Sequence, residues 1–129
     1  MGTTVRPRFL VRHQTWHHRP MVALAGLLTK EASQPLRALA EHPPARHHGV
    51  ILVDLSGLHH ATWEGVEALI DFVERLTERG YDVRLADPQP LVRTALFLTG
   101  NEHIPLYVDL YAAFDGNSDG RIDDHQFRL

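Results

Sequence analysis

Four consecutive apolar residues, Val50 to Val53, constrain the fold of this chain more than any other feature of its sequence. Three of the four are β-branched, and an unbroken apolar run is typical of a strand covered on both faces, as in a parallel sheet. Parallel strands need crossover connections, and the residues that follow provide one, because their apolar stripe has the spacing of an amphipathic helix. That stripe consists of Val66, Leu69, Ile70, Val73 and Leu76.

The same alternation of strand and helix patterns continues along the chain. Two short apolar runs near the N-terminus predict a hairpin at a sheet edge, and proline and glycine mark the helix boundaries that follow. The predicted fold is α/β: one small domain with a mostly parallel sheet of about five strands, element order ββαβαβαβα, and crossover helices. The predicted strands are 9–11, 21–25, 50–53, 83–85 and 106–108, and the predicted helices are 31–42, 63–79, 90–98 and 110–114.

Composition limits the function classes. The 129-residue chain has no cysteine, which excludes thiol catalysis, disulfides and zinc–thiolate sites. It has no apolar run near the about 18 residues that a membrane span needs, and its start lacks the apolar stretch of a secretion signal. Its twelve arginines are dispersed, so we expect no nucleic-acid contact, and their excess over one lysine suits a GC-rich bacterial genome. These features predict a cytoplasmic protein without a membrane partner.

The segment between the buried strand and the second helix, residues 54–65, contains the candidate functional corner. Thr62 is suited to cap the helix, because its hydroxyl can accept a hydrogen bond from an N–H two or three residues further on. Glu64 places a negative charge in the first turn, where the helix dipole favours it. Capping does not explain Trp63, which either packs back onto the sheet edge or anchors a partner protein.

Enzymatic chemistry is not predicted. Sites in parallel sheets form outside the carboxyl ends of strands, and we expect Thr29, Asp54 and Asp87 to lie at that edge together with Glu64. The three acids could form an acidic metal cluster there, although acids at strand ends more often cap helices and turns. None of the three serines lies in a nucleophile elbow, and no glycine-rich loop is suited to hold phosphate.

Two segments, 50–58 (VILVDLSGL) and 87–100 (DPQPLVRTALFLTG), are similar to those of the STAS domain family. This family comprises anti-sigma factor antagonists and the cytoplasmic tails of sulfate transporters. The likeness extends from about Phe9 to Phe114 and implies a STAS-like domain at 1–114. It also implies a regulatory protein whose partner is an anti-sigma factor resembling a serine kinase. Such a domain is expected to be a monomer or a homodimer.

The resemblance also implies a switch that this chain has lost. Typical members read Asp-Ser-Ser-Gly or Asp-Ser-Thr-Gly at the corner, and the partner kinase phosphorylates the first hydroxyl residue. Here Thr62 matches the Asp, Trp63 the phosphorylated serine, Glu64 the next hydroxyl and Gly65 the glycine. An indole cannot be phosphorylated, so the resemblance predicts a domain that binds its partner constitutively or is permanently off. The alternative is that Thr62 has become the phosphate acceptor.

Residues 115–129 resemble a calcium loop of EF-hand type rather than any part of a STAS domain. The loop ends in Gln126 where a bidentate glutamate is usual, and the chain leaves little length for an exit helix, so we expect at most weak calcium binding, near ~10⁻⁴ M. Calcium is the one cofactor expected. If the loop binds it, an alternative function is that of a calcium-responsive accessory STAS protein; if it does not, the segment is an Asp/Gly-rich tail. The candidate ligands are Asp115, Asn117, Asp119, Arg121 (through its carbonyl), Asp123 and Gln126, with Gly120 at the turn and Ile122 as the apolar position.

Overall fold

The computed structural model describes residues 8–44, 49–99, 104–116 and 118–122. In these residues an N-terminal hairpin of two strands is followed by four α-helices that alternate with three further strands, with short 3₁₀ turns at Lys30–Ala32 and Ser118–Gly120. The strands are β1 (Leu10–Trp16), β2 (Arg19–Leu28), β3 (Val50–Ala61), β4 (Asp82–Ala86) and β5 (Leu106–Tyr107), and the helices are α1 (Ser33–Glu41), α2 (Trp63–Glu78), α3 (Pro90–Leu98) and α4 (Leu110–Asp115).

The five strands form one sheet in the order β1-β2-β3-β4-β5. β1 is antiparallel to β2, and every other neighbouring pair is parallel. The predicted α/β fold and its element order are therefore confirmed. Because parallel crossovers are right-handed, a sequential strand order places the successive crossover helices on the same face of the sheet. No helix of the described part is long and apolar enough to cross a membrane.

Alternate residues of the central strands pack on opposite faces of the sheet. Ile51 and Val53 belong to the larger core cluster, together with residues of α1, α2 and α3. Leu52 faces the other way and packs against Ala113 of α4 in a second cluster. Both faces of β3 are buried at this point, which explains the unbroken apolar run at 50–53.

The N-terminal hairpin is longer than predicted. β1 and β2 pair without a break from Leu10 opposite Ala25 to Trp16 opposite Arg19. The turn consists of His17 and His18, whose φ angles of 49° and 66° are those of a two-residue type I′ turn. Most of β1 is exposed, so its sequence lacks the apolar alternation by which a half-buried strand is recognised.

β3 also extends further than predicted. The segment 54–61, expected to be a connection between strand and helix, is strand as far as Ala61. Its register against β2 shifts twice, between Ala23 and Ala25 and between Gly26 and Leu27, so β3 contains extra residues there. At the first shift, Asp54 Oδ1 accepts a hydrogen bond of 2.9 Å from the backbone N–H of Ser56. Such bulges interrupt the period of two, and the strand pattern was therefore not visible in the sequence.

Candidate functional site

The end of β3 and the start of α2 are joined through Thr62. Its backbone N–H donates to the carbonyl oxygen of Leu28 at 2.9 Å, which continues the pairing between β2 and β3 by one step. Its side-chain Oγ1 accepts from the N–H of Gly65 at 3.2 Å, and its backbone is extended (φ −96°, ψ 168°). Thr62 is therefore the N-cap of α2, as predicted.

Gly65 fixes the position of the first turn of α2. A Cβ added to Gly65 would lie 2.0 Å from the carbonyl oxygen of Leu28 and 2.7 Å from the backbone nitrogen of Thr29. Only a residue without a side chain fits there, because the neighbouring atoms are backbone and cannot move away independently. The start of α2 consequently lies directly on the end of β2.

Trp63, the first residue of α2, points into solvent. Its side chain is 60 % exposed, which makes it one of the most exposed large apolar residues of the described chain. Glu64, which follows it, is also exposed. Of the two expectations for Trp63, packing against the sheet edge is wrong and the exposed position is observed. The indole and the carboxylate both stand at the positive end of the α2 dipole.

Thr29 lies beside this corner, as expected. It begins the 3₁₀ turn that leads into α1, and its Oγ1 accepts a hydrogen bond of 3.3 Å from the N–H of Glu31. Its backbone nitrogen is one of the atoms nearest to Gly65. Two helical segments, each capped by a threonine, therefore begin at the same end of the sheet. We refer to Thr29, Thr62, Trp63, Glu64 and Gly65 as the α2 corner.

Asp54 and Asp87 do not belong to the α2 corner, contrary to expectation. Asp54 lies opposite Ala86, the residue before Asp87, and seven further residues of β3 separate it from the strand end. At about 3.3 Å per residue, those residues place Glu64 roughly 20 Å away. The acidic cluster of Asp54, Glu64 and Asp87 is therefore not formed, and no group of three His, Asp or Glu residues in the described ranges is placed to hold a metal ion.

Asp87 lies near two other acids, Asp54 and Asp109, and not near Glu64. Asp87 is exposed as a whole residue, but partial desolvation of its carboxyl, followed by the negative charges of Asp54 and Asp109, raises the pKa of that carboxyl above its usual value. The backbone of Asp87 is left-handed (φ 58°). Asp109, which the sequence analysis did not single out, caps α4 by accepting from the N–H of Ala112 at 2.8 Å. Its position immediately before the last predicted helix indicates an N-cap and could have identified it from the sequence.

Gln89 is a second residue that sequence reasoning missed. Its Nε2 donates to the carbonyl oxygen of Ser56 at 2.8 Å and lies 3.2 Å from Nδ1 of His59. These contacts hold the start of α3 against the extended part of β3. Leu91, two residues further on, is exposed. The pattern of Gln followed by Pro90 at the first helical position indicated a helix start but not this contact.

The calcium-loop candidates are only partly within the described residues. Asn117, Asp123 and Gln126 lie outside them, whereas Asp115 ends α4 and Asp119 lies in the last 3₁₀ turn. The chain then returns to the sheet: Val108 N–H donates to the carbonyl of Gly120 at 2.9 Å, and Ile122 N–H to that of Leu106 at 2.7 Å.

Comparison with protein families identifies the family of this chain. A family model described as "Mlab, STAS domain" matches residues 11–108. The chain therefore belongs to the STAS domain family, as its sequence suggested. Comparison with curated protein sequences finds no significant match.

Solved structures similar to this chain include anti-sigma factor antagonists. An anti-sigma factor antagonist from Mycobacterium paratuberculosis has 19% identity and a TM-score of 0.68, covering 84% of this chain and 93% of its own. A variant of RsbS from Moorella thermoacetica has 18% identity and a TM-score of 0.66, covering 82% and 92%. The anti-sigma factor antagonist SpoIIAA in its unphosphorylated form has 17% identity and a TM-score of 0.61, covering 90% and 100%. At these identities the likeness establishes the fold.

Proposed function

We propose that this chain is a regulatory, protein-binding STAS domain of the anti-sigma factor antagonist type, which contacts its partner through the α2 corner without a serine phosphorylation switch. The observation that carries this proposal is the exposure of Trp63 at the position where the family resemblance places the phosphorylated serine. More than half of this large apolar side chain is in solvent at the start of a helix, so burial in the core does not account for it. Tryptophan is, however, the residue type most enriched among the side chains that dominate protein interfaces.

The contacts around Trp63 support a fixed rather than a switched surface. The hydroxyl of Thr62 is already engaged as a hydrogen-bond acceptor for the N–H of Gly65. Glu64 supplies one permanent negative charge at the helix start, whereas a phosphate would supply roughly −1.5 to −2 and could be removed. The proposed partner is an anti-sigma factor of serine-kinase type, because the similar structures include anti-sigma factor antagonists.

The decisive experiment compares partner capture by three immobilised proteins: the natural chain, Trp63→Ser and Leu98→Ser. Leu98 is the matched control, because it is also a large, exposed apolar residue on a helix. It is the last residue of α3, whereas Trp63 is the first residue of α2. The natural chain and Leu98→Ser are expected to retain an anti-sigma factor, identified by mass spectrometry and then purified for titration. Trp63→Ser is expected to bind it at least tenfold more weakly, as for an interface anchor. Equal affinity for all three would refute the role of Trp63.

The captured complex also tests the alternative, phosphorylation of Thr62. The natural chain is incubated with the captured protein and ATP, and its peptides are analysed by mass spectrometry. The proposal requires that residues 54–65 remain unmodified. Phosphate on Thr62 that releases the partner would restore a switch and contradict the proposal, and a Thr62→Val variant would then abolish the modification.

We also propose that the loop beginning at Asp115 binds calcium weakly. The observation that favours this second function is the position of Ile122, the apolar residue of the loop pattern, which is 3 % exposed and packs into the main core cluster. The described part of the loop, which ends at Ile122, is thus attached to the domain. Two arginines limit the affinity, because Arg19 and Arg84 both donate to the carbonyl of Phe114 just before the loop.

A further inference from the structure

Among the described residues, nothing pairs with the outer edge of β1. In the described chain β1 is the first strand of the sheet and pairs only with β2. Natural edge strands are usually protected from further pairing by proline, by lysine, by bulges or by shortness. β1 has seven residues, contains neither proline nor glycine, and pairs with β2 without a register shift. Arg12 is its one permanently charged residue.

The hairpin geometry defines which backbone groups of β1 point outward. In a hairpin with a two-residue turn, the residues that flank the turn form a hydrogen-bonded pair, here Trp16 with Arg19. Hydrogen-bonded pairs recur at every second residue, so the even-numbered residues of β1 direct their N–H and C=O groups towards β2. The backbone groups of Val11, His13 and Thr15 consequently point away from the sheet.

We infer that two copies of this chain associate through antiparallel pairing of their β1 strands, centred on His13. In this register His13 lies opposite His13 of the second copy, and Val11 lies opposite its Thr15. All three outward-facing residues of each strand are then paired, which gives six hydrogen bonds between the copies and one continuous ten-stranded sheet. This dimer and the proposed partner contact use different residues, because no residue of the α2 corner belongs to β1 and β2 lies between β1 and β3.

The side chains of β1 complement themselves in this register. On one face, β-branched Val11 and Thr15 are directly opposite each other, a favourable cross-strand pair. On the other face, Leu10 lies opposite Trp16 of the second copy, and Arg12 lies opposite its Gln14, whose amide oxygen can accept from the guanidinium. The two Arg12 side chains are diagonal neighbours, about 7–8 Å apart, and long enough to diverge into solvent.

At its apolar end, this interface would cover side chains that are exposed in the single chain. Leu10 is 49 % exposed in the single chain. Trp16, its expected neighbour in the second copy, packs edge-on against Tyr111 and Phe114, with ring centroids 5.0 Å and 5.5 Å apart. Tyr111 is itself 68 % exposed. Pairing of the β1 strands would bring Leu10 of one copy onto the Trp16 and Tyr111 rings of the other, so both exposed groups would be covered together.

Other registers of the β1–β1 pairing are less suitable than the one centred on His13. A shift by two residues in one direction places Arg12 directly opposite Arg12 of the second copy, and like charges so close are destabilising. A shift in the other direction places Val11 opposite the turn residue His17, outside the partner strand. The centred register alone pairs every outward-facing residue.

Single cysteines test the register directly, because the natural chain has none. Directly opposite Cα atoms of a hydrogen-bonded pair are about 5.5 Å apart, which a disulfide can bridge. His13→Cys is therefore expected to form a covalent dimer under mild oxidation. Leu10→Cys on the same strand is the matched control, because the two copies of residue 10 would be about 20 Å apart, six residues along the strand. Equal cross-linking of the two variants would overturn the inference.

Charge variants at the centre of the interface provide the second test, with every protein compared in the same buffer at pH 8. In sedimentation equilibrium between about 5 and 500 µM, the natural chain is expected to shift from its 14.6 kDa monomer to twice that mass. His13→Glu and His13→Lys should each remain monomeric, and their equimolar mixture should dimerise. His42→Glu, with the same charge change at the exposed end of α1, should behave as the natural chain.

Two results would contradict the β1 dimer. The natural chain could stay monomeric over the whole concentration range, or the dimer could persist unchanged in both His13 variants, which would place it elsewhere on the molecule. Far-UV circular dichroism of each variant establishes that the monomer is still folded. A mass increase seen only in the presence of another protein, and lost in the His13 variants but not in Trp63→Ser, would mean that the edge of β1 accepts a foreign strand, and would equally overturn the inference.

Discussion

Gly65 in the first turn of α2 approaches Leu28 at the end of β2 so closely that a Cβ on Gly65 would lie 2.0 Å from the Leu28 carbonyl oxygen. That oxygen also accepts the hydrogen bond from Thr62. A displacement of either chain would therefore disturb both the strand pairing and the helix start. The position of Trp63, between Thr62 and Gly65, depends on this contact.

We expect Gly65→Ala to destabilise the domain by about 2–3 kcal/mol, the upper part of the range for an extra group forced into a packed site, because the nearest atoms are backbone. The midpoint of urea unfolding, followed by circular dichroism, measures this loss. Glu67→Ala, on the exposed side of the same helix, is the control and should change stability by less than about 0.5 kcal/mol. If Gly65→Ala is as stable as Glu67→Ala, the close approach of α2 to β2 is not as described.

Removal of the Thr62 hydroxyl should have a smaller and separable effect. Thr62→Ala loses the hydrogen bond to the N–H of Gly65 and is expected to cost about 1 kcal/mol, whereas Thr62→Ser retains the acceptor and should be nearly neutral. Chemical denaturation of the two variants checks this difference. Equal loss in both would show that the methyl group, and not the capping hydroxyl, stabilises the corner.

Much of the α2 corner was predictable from sequence because it depends on local rules. Thr62 is followed by an amphipathic stripe, and capping preferences alone identify it as the first residue before the helix. The requirement for glycine at position 65 was visible only through the family resemblance. Its physical cause is a contact with Leu28, 37 positions earlier, which no local pattern encodes.

The errors at Asp54 and Glu64 have a different origin. The apolar run of β3 ends at Val53, and a strand that ended there would place both acids at one sheet edge. Pairing with the long β2 extends β3 to Ala61, and its bulges suppress the alternation that would have revealed this. The environment of Asp87 could not be predicted from the sequence either, because it depends on the register between β3 and β4, which places Asp54 opposite Ala86.

The raised pKa of Asp87 predicts a pH-dependent stability difference. Burial first, and then the charges of Asp54 and Asp109, disfavour its ionised form in the folded state. The stability that Asp87 contributes is therefore fully present below its unfolded-state pKa and is lost as the pH rises through the raised folded-state value. Asp87→Asn, which tolerates the left-handed backbone, should be more stable than the natural chain at pH 7. This advantage should shrink on acidification through the carboxylate range.

Urea unfolding at a series of pH values measures this difference, and NMR titration of the Asp87 carboxyl measures its cause. Asp54→Asn is the companion variant, because its amide oxygen can still accept from Ser56 while the charge is removed. It should lower the pKa of Asp87 only in part, since burial is the larger cause. A stability gain of Asp87→Asn that is constant from pH 3 to pH 7 would attribute the effect to backbone conformation instead of charge.

Calcium binding at the loop should be seen first where the loop meets the sheet. The amides of Gly120 and Ile122 are the reporters, because Ile122 N–H donates to Leu106 and the carbonyl of Gly120 accepts from Val108. We expect both amide signals to shift in NMR spectra at millimolar calcium, in line with a dissociation constant no tighter than ~10⁻⁴ M.

Two variants separate specific calcium binding from general screening of charge. Asp119→Ala removes a candidate ligand within the loop and should abolish the shifts, whereas Glu41→Ala removes an equal charge from the exposed end of α1 and should leave them intact. Arg84→Met tests the limit on affinity. Loss of a guanidinium that donates to the carbonyls of Ala113 and Phe114 should strengthen calcium binding severalfold, because one positive charge beside the loop is removed. Unchanged spectra of the natural chain at millimolar calcium would show that these residues form a structural turn and not a metal site.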